Sequence, residues 1–292
     1  MAIAFLMGTG RCGSTAVHEL MARHPAFGFV SNIEDNLSWL NRRGRWNNLL
    51  YRAPVSFPTQ KGGVRFAPSE GYRIIGREVS PIYANSCRDL AAEDVTPWLR
   101  ARFRKFFLDR VDAQRREVFL HKYTGWPRLA FFHAIFPEAK FVHIVRDGRA
   151  VANSWLQMPW WNGYRGPENW LWGPLPTAAE AEWEREGRSF VALAGLAWKI
   201  LINAAEVTAE CLPPDRYIVL RFEDVINDPE ASFSRIFDFL DVRSTPAFGR
   251  TLRDYRFSSA RHTAFRRDLD SRQLIVLNRV LASSLEKYGY LN

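Results

Sequence analysis

The sequence predicts an α/β fold: a P-loop-like central parallel sheet with helices on both faces. Two observations carry that prediction. Short apolar runs alternate along the chain with segments of helical spacing, the order that builds a parallel sheet. Several of those runs are also almost uninterruptedly apolar, as in Phe141-Val-His-Ile-Val145, which suits strands buried on both faces. Strands are expected at Ile3–Met7, Tyr72–Val79, Val118–Tyr123, Phe141–Val145 and Tyr217–Phe222. Helices are expected at Thr15–Arg23, Pro97–Val111, Arg128–Phe136, Arg149–Leu156, Phe190–Cys211, Pro229–Leu240 and Ser271–Tyr288. Without an internal repeat, a low-complexity tract or a Pro/Ser-rich linker, the 292 residues read as a single domain, 1–292.

Composition narrows the class. A hydrophobic content of 47% supports a core without disulfide staples. Cys12, Cys87 and Cys211 are too few and too scattered for a disulfide framework or a zinc site, so no metal is expected and a reducing, cytoplasmic setting is. The longest apolar stretch, Phe190 to Trp198, carries a glycine and ends at Lys199, well short of the ~18 residues of a membrane span. Met1 to Met7 has no basic leader and reads as a first strand. The expectation is a protein with no membrane span.

The net charge is +9, and arginine supplies 34 of the 40 cations. Its planar fork grips phosphate or sulfate oxygens in pairs, which lysine cannot do. An arginine-rich surface accounts for this blandly; a polyanionic ligand accounts for it functionally. The excess concentrates in Arg100–Arg116 and Arg243–Arg279. There is no compact basic tail, so nucleic acid is not an expected partner. Between Met158 and Pro176 periodicity fails, and Trp160, Trp161, Trp170, Trp172 and Tyr164 crowd among glycines and prolines. That 158–176 loop reads as a lid or acceptor wall, or as packing against the body of the domain.

The opening run Ile3-Ala-Phe-Leu-Met-Gly8-Thr-Gly10-Arg11-Cys12-Gly13-Ser14-Thr15 is a strand, a glycine turn and a helix start. Backbone N–H groups and the helix dipole converge there on an anion. Gly8, Gly10 and Gly13 fit a dinucleotide-binding GxGxxG with Glu34 downstream, but the Ser-Thr pair then has no task. Gly8 to Thr15 also fits a Walker A frame in which Ser14 replaces the lysine that ATP or GTP hydrolysis relies on. A phosphatase loop around Cys12 needs arginine at position 18, where His18 stands. A second segment, Phe136-Pro-Glu-Ala-Lys-Phe-Val-His-Ile-Val-Arg146-Asp-Gly-Arg-Ala-Val-Ala-Asn-Ser154, is a strand ending in arginine and a helix carrying serine about 12 Å further along its axis. Arg146 and Ser154 would flank a second phosphate.

Taken together the two segments resemble the sulfotransferases that use 3′-phosphoadenosine 5′-phosphosulfate (PAPS). Arg-Cys-Gly-Ser-Thr is similar to their 5′-phosphosulfate loop, with Cys12 in place of the usual serine and His24-Pro25 after the helix. Arg146 and Ser154 match their 3′-phosphate motif. Ala197-Trp198-Lys199, Tyr217-Ile-Val-Leu-Arg-Phe-Glu-Asp224 and Leu285-Glu-Lys-Tyr-Gly-Tyr290 extend the likeness over nearly the whole chain, most weakly between residues 40 and 115. The resemblance is closer to the glycosaminoglycan, protein-tyrosine and bacterial branch than to the cytosolic aryl branch, whose histidine base is replaced here by Thr124.

The resemblance implies an enzyme that moves a sulfuryl group from PAPS to a hydroxyl or amine of a small-molecule or glycan acceptor, leaving 3′,5′-adenosine diphosphate. Gly10, Arg11, Cys12, Gly13, Ser14 and Thr15 would hold the 5′ end; Arg146, Ser154 and Arg261 would hold the 3′ end. Arg11 would neutralise the leaving group and Lys122 would bind the sulfonate. Glu34 is the expected base, with Asp35 beside it and Glu78 in reserve. His121 is expected on the strand face opposite Lys122, and His143 in the core. Ser258, Ser259 and His262 accompany Arg261 in a basic stretch. The alternatives are a P-loop kinase and a non-catalytic module that binds nucleotides or polyanions. Neither the acceptor nor an oligomeric state is legible.

Overall fold

The computed structural model describes residues 2–52, 66–257 and 263–291. Five parallel strands, β1 (Ala2–Gly8), β2 (Phe27–Gly28), β3 (Val118–Thr124), β4 (Lys140–Val145) and β5 (Tyr217–Arg221), form one sheet in the order β2-β3-β1-β4-β5. The first strand is central. It pairs with β3 from Ala2 opposite Val118 to Gly8 opposite Thr124, and with β4 from Ala4 opposite Lys140 to Met7 opposite His143. Alternation along β1 sorts its side chains: Ile3, Phe5 and Met7 enter an aromatic core with Phe107, Phe132 and Phe136, while Ala4 and Leu6 meet Val17, Leu20 and Phe233 on the other face. Phe5 stacks on Phe132 with ring centroids 4.3 Å apart.

The helices are α1 (Ser14–Arg23), α2 (Asn32–Asn36), α3 (Asn47–Arg52), α4 (Tyr72–Glu78), α5 (Ile82–Asn85), α6 (Pro97–Gln114), α7 (Leu129–Ile135), α8 (Gly148–Leu156), α9 (Thr177–Arg185), α10 (Phe190–Ala209), α11 (Phe222–Asn227), α12 (Pro229–Phe239), α13 (Pro246–Asp254), α14 (Phe265–Asp268) and α15 (Ser271–Lys287). All seven helices expected from periodicity are present, and several carry strong end signals. Thr96 accepts from the Leu99 amide with Pro97 at the first helical position of α6, and Asp270 and Gln273 close a capping box on α15. The expected helix over Phe190–Cys211 is α10, 20 residues that include Lys199, with a mean hydropathy of 1.6 over an 18-residue window. It is long and apolar enough to cross a membrane, but 61% of that window is buried in the protein. The helix packs on α8 and α15, and Lys199 reaches Glu182 of α9 at 2.9 Å.

One expected strand is a helix. Tyr72–Val79 forms α4, not a strand, and the fifth strand is the two-residue β2. The Ile-Ile pair mimics a buried strand, but Gly71 enters with φ +64° and the Asp35 carboxylate accepts from the Ile74 amide at 2.8 Å, which starts a helical turn. The loops after β1, β3 and β4 meet at the carboxyl edge of the sheet, the usual ligand crevice of such folds.

Candidate active site

The chain leaves β1 through a tight glycine turn. A Cβ on Gly8 would lie 2.4 Å from Cys12 Sγ, and one on Gly13 would lie 2.2 Å from the Phe222 ring, so both positions admit only glycine. Gly10, Arg11 and Gly13 all have left-handed backbones, with φ of +81°, +55° and +89°. Left-handed residues leading into a helix turn their N–H groups toward one concavity, an anion nest at the start of α1. The Cys12 side chain is buried in the core, so it offers the nest its amide and not its thiol.

The second predicted segment arrives at the same place. Arg146, at the end of β4, donates to the Arg11 carbonyl at 2.9 Å, and Arg11 Nε donates to Ser154 Oγ on α8 at 2.9 Å. Burial lowers the Arg146 pKa, while Glu223 nearby acts in the opposite direction. Asp147 caps α8 and pairs with Arg149 at 2.8 Å. Glu223 accepts from the Asp147 amide at 3.2 Å and from the Tyr290 hydroxyl at 2.8 Å. The motifs at 217–224 and 285–290 therefore brace the start of α8.

Opposite the nest, on β3, Lys122 Nζ donates to Thr15 Oγ1 at 2.9 Å and to Glu70 Oε1 at 2.5 Å. Glu70 Oε2 accepts from Thr124 Oγ1 at 3.1 Å. Burial alone would raise the Glu70 pKa, but Lys122 and the hydroxyls of Tyr72 and Thr124 hold it below the usual carboxylate value. Its side chain keeps 24% exposure. Asp35 positions this segment, accepting from Ser69 Oγ at 3.1 Å and from the Ile74 amide.

Glu34, the expected base, lies elsewhere. It is fully buried in a 2.8 Å ion pair with Arg110, and a Cβ on Gly44 would come within 2.8 Å of its second oxygen. Burial, outweighing Arg110, raises its pKa to about 7. Arg110 also holds Glu78 at 3.1 Å, so the reserve carboxylate belongs to the same cluster. His121 faces away from Lys122 and meets Tyr83 Oη at 2.8 Å; buried His143 meets Tyr217 Oη at 2.6 Å. Ser258, Ser259, Arg261 and His262 lie outside the described residues.

In the aromatic loop, Trp161, Trp170 and Trp172 are buried against Trp155, which sits 4.7 Å from Trp172 between centroids. The buried Trp155 indole N–H has no hydrogen-bond partner, and a Cβ on Gly10 would lie 3.8 Å from it. Sequence reasoning missed Glu70 and Trp155. Glu70 belongs to no periodic run, and only its pairing with Lys122 across the fold reveals it.

A glycine nest on the central strand, closed by a basic strand end, defines a P-loop-like α/β protein built to hold phosphoryl-type anions. The family model described as "Sulfotransferase family" matches residues 4–246, and the chain belongs to that family. An omega-hydroxy-beta-dihydromenaquinone-9 sulfotransferase of Mycobacterium tuberculosis is 26% identical over 208 residues, 69% of this chain. The chain spans about half of that relative's length, 48%. Among solved structures, the sulfotransferase domain of the Synechococcus PCC 7002 olefin synthase superposes with a TM-score of 0.52 at 17% identity, over 96% of this chain and 94% of that one. A sulfotransferase of Mycobacterium avium gives 0.54 at 16% identity, over 97% and 76%. At these identities the structures speak for the fold.

Proposed function

We propose that the protein transfers the sulfuryl group of PAPS to a hydroxyl or amine of an acceptor. The observation that carries this reading is the junction of Arg11 with both Ser154 and Arg146, which joins two anion cradles into one site suited to a ligand phosphorylated at both ends. The amides of residues 10–15 would hold the 5′-phosphosulfate, with the orphan Trp155 N–H beside them. Arg146 and Ser154 would hold the 3′-phosphate, joined by Arg261 from the resemblance. Arg11 would neutralise the departing 5′-phosphate, and Lys122 the sulfonate oxygens.

Glu70, not Glu34, takes the acceptor proton in this reading. It is a partly exposed, ionised carboxylate on Lys122 and Thr124, whereas Glu34 has no exposed surface. The acceptor oxygen forms its bond to sulfur as the bond from sulfur to the 5′-phosphate oxygen breaks, and the proton passes to Glu70. The relative's hydroxylated quinone favours a small-molecule alcohol with an apolar body as acceptor. The same reading takes the protein to be cytoplasmic, consistent with three free cysteines, two of them exposed.

Incubation with sulfur-labelled PAPS and host extract, followed by mass spectrometry of the labelled product, tests this. Transfer that fails in Lys122→Ala supports it. Phosphoryl transfer from ATP with Mg²⁺ would instead make the protein a kinase. Tight binding of 3′,5′-adenosine diphosphate with no turnover on any acceptor would make it a binding module.

A further inference from the structure

The helix α3 buries two asparagines beside Tyr51 and exposes its two leucines. Asn47 and Asn48 are buried, while Leu49 and Leu50 stand 63% and 41% exposed. Polar residues inside and leucines outside reverse the pattern of a surface helix, and burial of asparagine is tolerated only with full hydrogen bonding. That bonding is complete for Asn47, while Asn48 is held through its amide nitrogen alone. Asn41 Nδ2 donates to Asn47 Oδ1 at 2.5 Å, Asn47 Nδ2 to the Phe29 carbonyl at 2.6 Å, and the Trp46 amide to Asn41 Oδ1 at 3.1 Å. Asn48 donates to Gln114 Oε1 at 3.3 Å.

In the same stretch Trp39 (77% exposed), Leu40 and Trp46 are exposed along with the two leucines. Five large apolar side chains within twelve residues, each exposed by 41% or more, form the kind of patch that marks an interaction site. Interleaved with them are Arg42, Arg43 and Arg45, all exposed. Arg43 pairs with Asp109 at 3.0 Å; Arg42 and Arg45 have no carboxylate partner among the described residues. Tryptophan, leucine and unpaired arginine together match the boundary between lipid headgroups and acyl chains, where indoles sit and cations meet anionic phosphate. A self-association face would not favour repeated arginines at its centre, since two copies would juxtapose like charges.

We propose that residues 39–50 dock the protein on an anionic lipid bilayer. Trp39, Trp46, Leu49 and Leu50 dip into the interface, and Arg42 and Arg45 bind lipid phosphates. The proposal stands on the patch itself and does not depend on the sulfuryl-transfer reading.

Flotation of the full chain with phosphatidylcholine vesicles, with and without phosphatidylglycerol, tests it. Wild type is expected to float with the anionic vesicles and to release at high salt. Arg42→Ala and Arg45→Ala should each weaken partitioning about fivefold. Trp39→Ser with Leu49→Ser should weaken it about tenfold or more, with thermal unfolding and affinity for 3′,5′-adenosine diphosphate unchanged. Equal flotation of wild type and these variants overturns the proposal. So does a concentration-dependent dimer, seen by light scattering, that the Trp39→Ser variant abolishes, because the patch then serves a second copy. Failure of nucleotide binding with vesicle binding intact would count against the sulfotransferase reading alone.

Discussion

Replacing Arg146 by alanine separates a phosphate ligand from a structural arginine. Arg146 is 8% exposed and donates to the Arg11 carbonyl, so alanine removes both a support of the nest and a charged donor. Loss of the neutral-acceptor bond costs about 0.5–1.5 kcal/mol and should weaken every nucleotide alike. Loss of a charged hydrogen bond to a 3′-phosphate costs about 1.5–3 kcal/mol more, or about 10- to 150-fold, and only for ligands that carry that phosphate. Calorimetric titration of wild type and Arg146→Ala with 3′,5′-adenosine diphosphate and with 5′-AMP forms a double-mutant cycle. A coupling above about 1 kcal/mol places the arginine on the 3′-phosphate. An identical loss for both nucleotides would refute the reasoning and leave Arg146 as a brace.

Two further outcomes follow from the carboxylates. Glu70→Gln should lower turnover ~100-fold or more with nucleotide affinity intact. Because the Glu70 pKa is lowered in the folded protein, the acid limb of kcat/KM should fall below the ordinary carboxylate range and vanish in the glutamine variant; full turnover in that variant puts the base elsewhere. Glu34 behaves oppositely. Its pKa rises from 4.5 to about 7 on folding, so its contribution to stability is complete at acid pH and declines as pH rises through about 7. Urea midpoints measured across that window should slope downward in wild type more than in Glu34→Gln, and equal slopes would remove Glu34 as the titrating group.

Legibility followed the range of the interactions. The long helices α6 and α15 were readable because each carries its own cap, Thr96-Pro97 in one and the Asp270–Gln273 box in the other. Tyr72–Val79 misled because Ile74-Ile75 is compatible with either period, and the deciding group, Asp35, is remote in the chain. Glu34 misled for the converse reason. Its position after His24-Pro25 fitted a family spacing, but Arg110, brought in by α6, claims it for a buried pair. Trp155 and Glu70 became visible only as neighbours of Gly10 and Lys122.

By itself the sequence determined the parallel α/β architecture, the glycine nest at residues 8–15 and the Arg146–Ser154 segment, because strand alternation, left-handed glycines and helix starts are written in adjacent residues. Only the tertiary structure decided that the two glycine and arginine segments meet at Arg11, that Glu70 faces Lys122 while Glu34 is buried on Arg110, and that α3 turns its leucines outward. Those outcomes depend on side chains far apart in the chain competing for the same partners, and folding settles that competition through burial and hydrogen bonding, which no local pattern records.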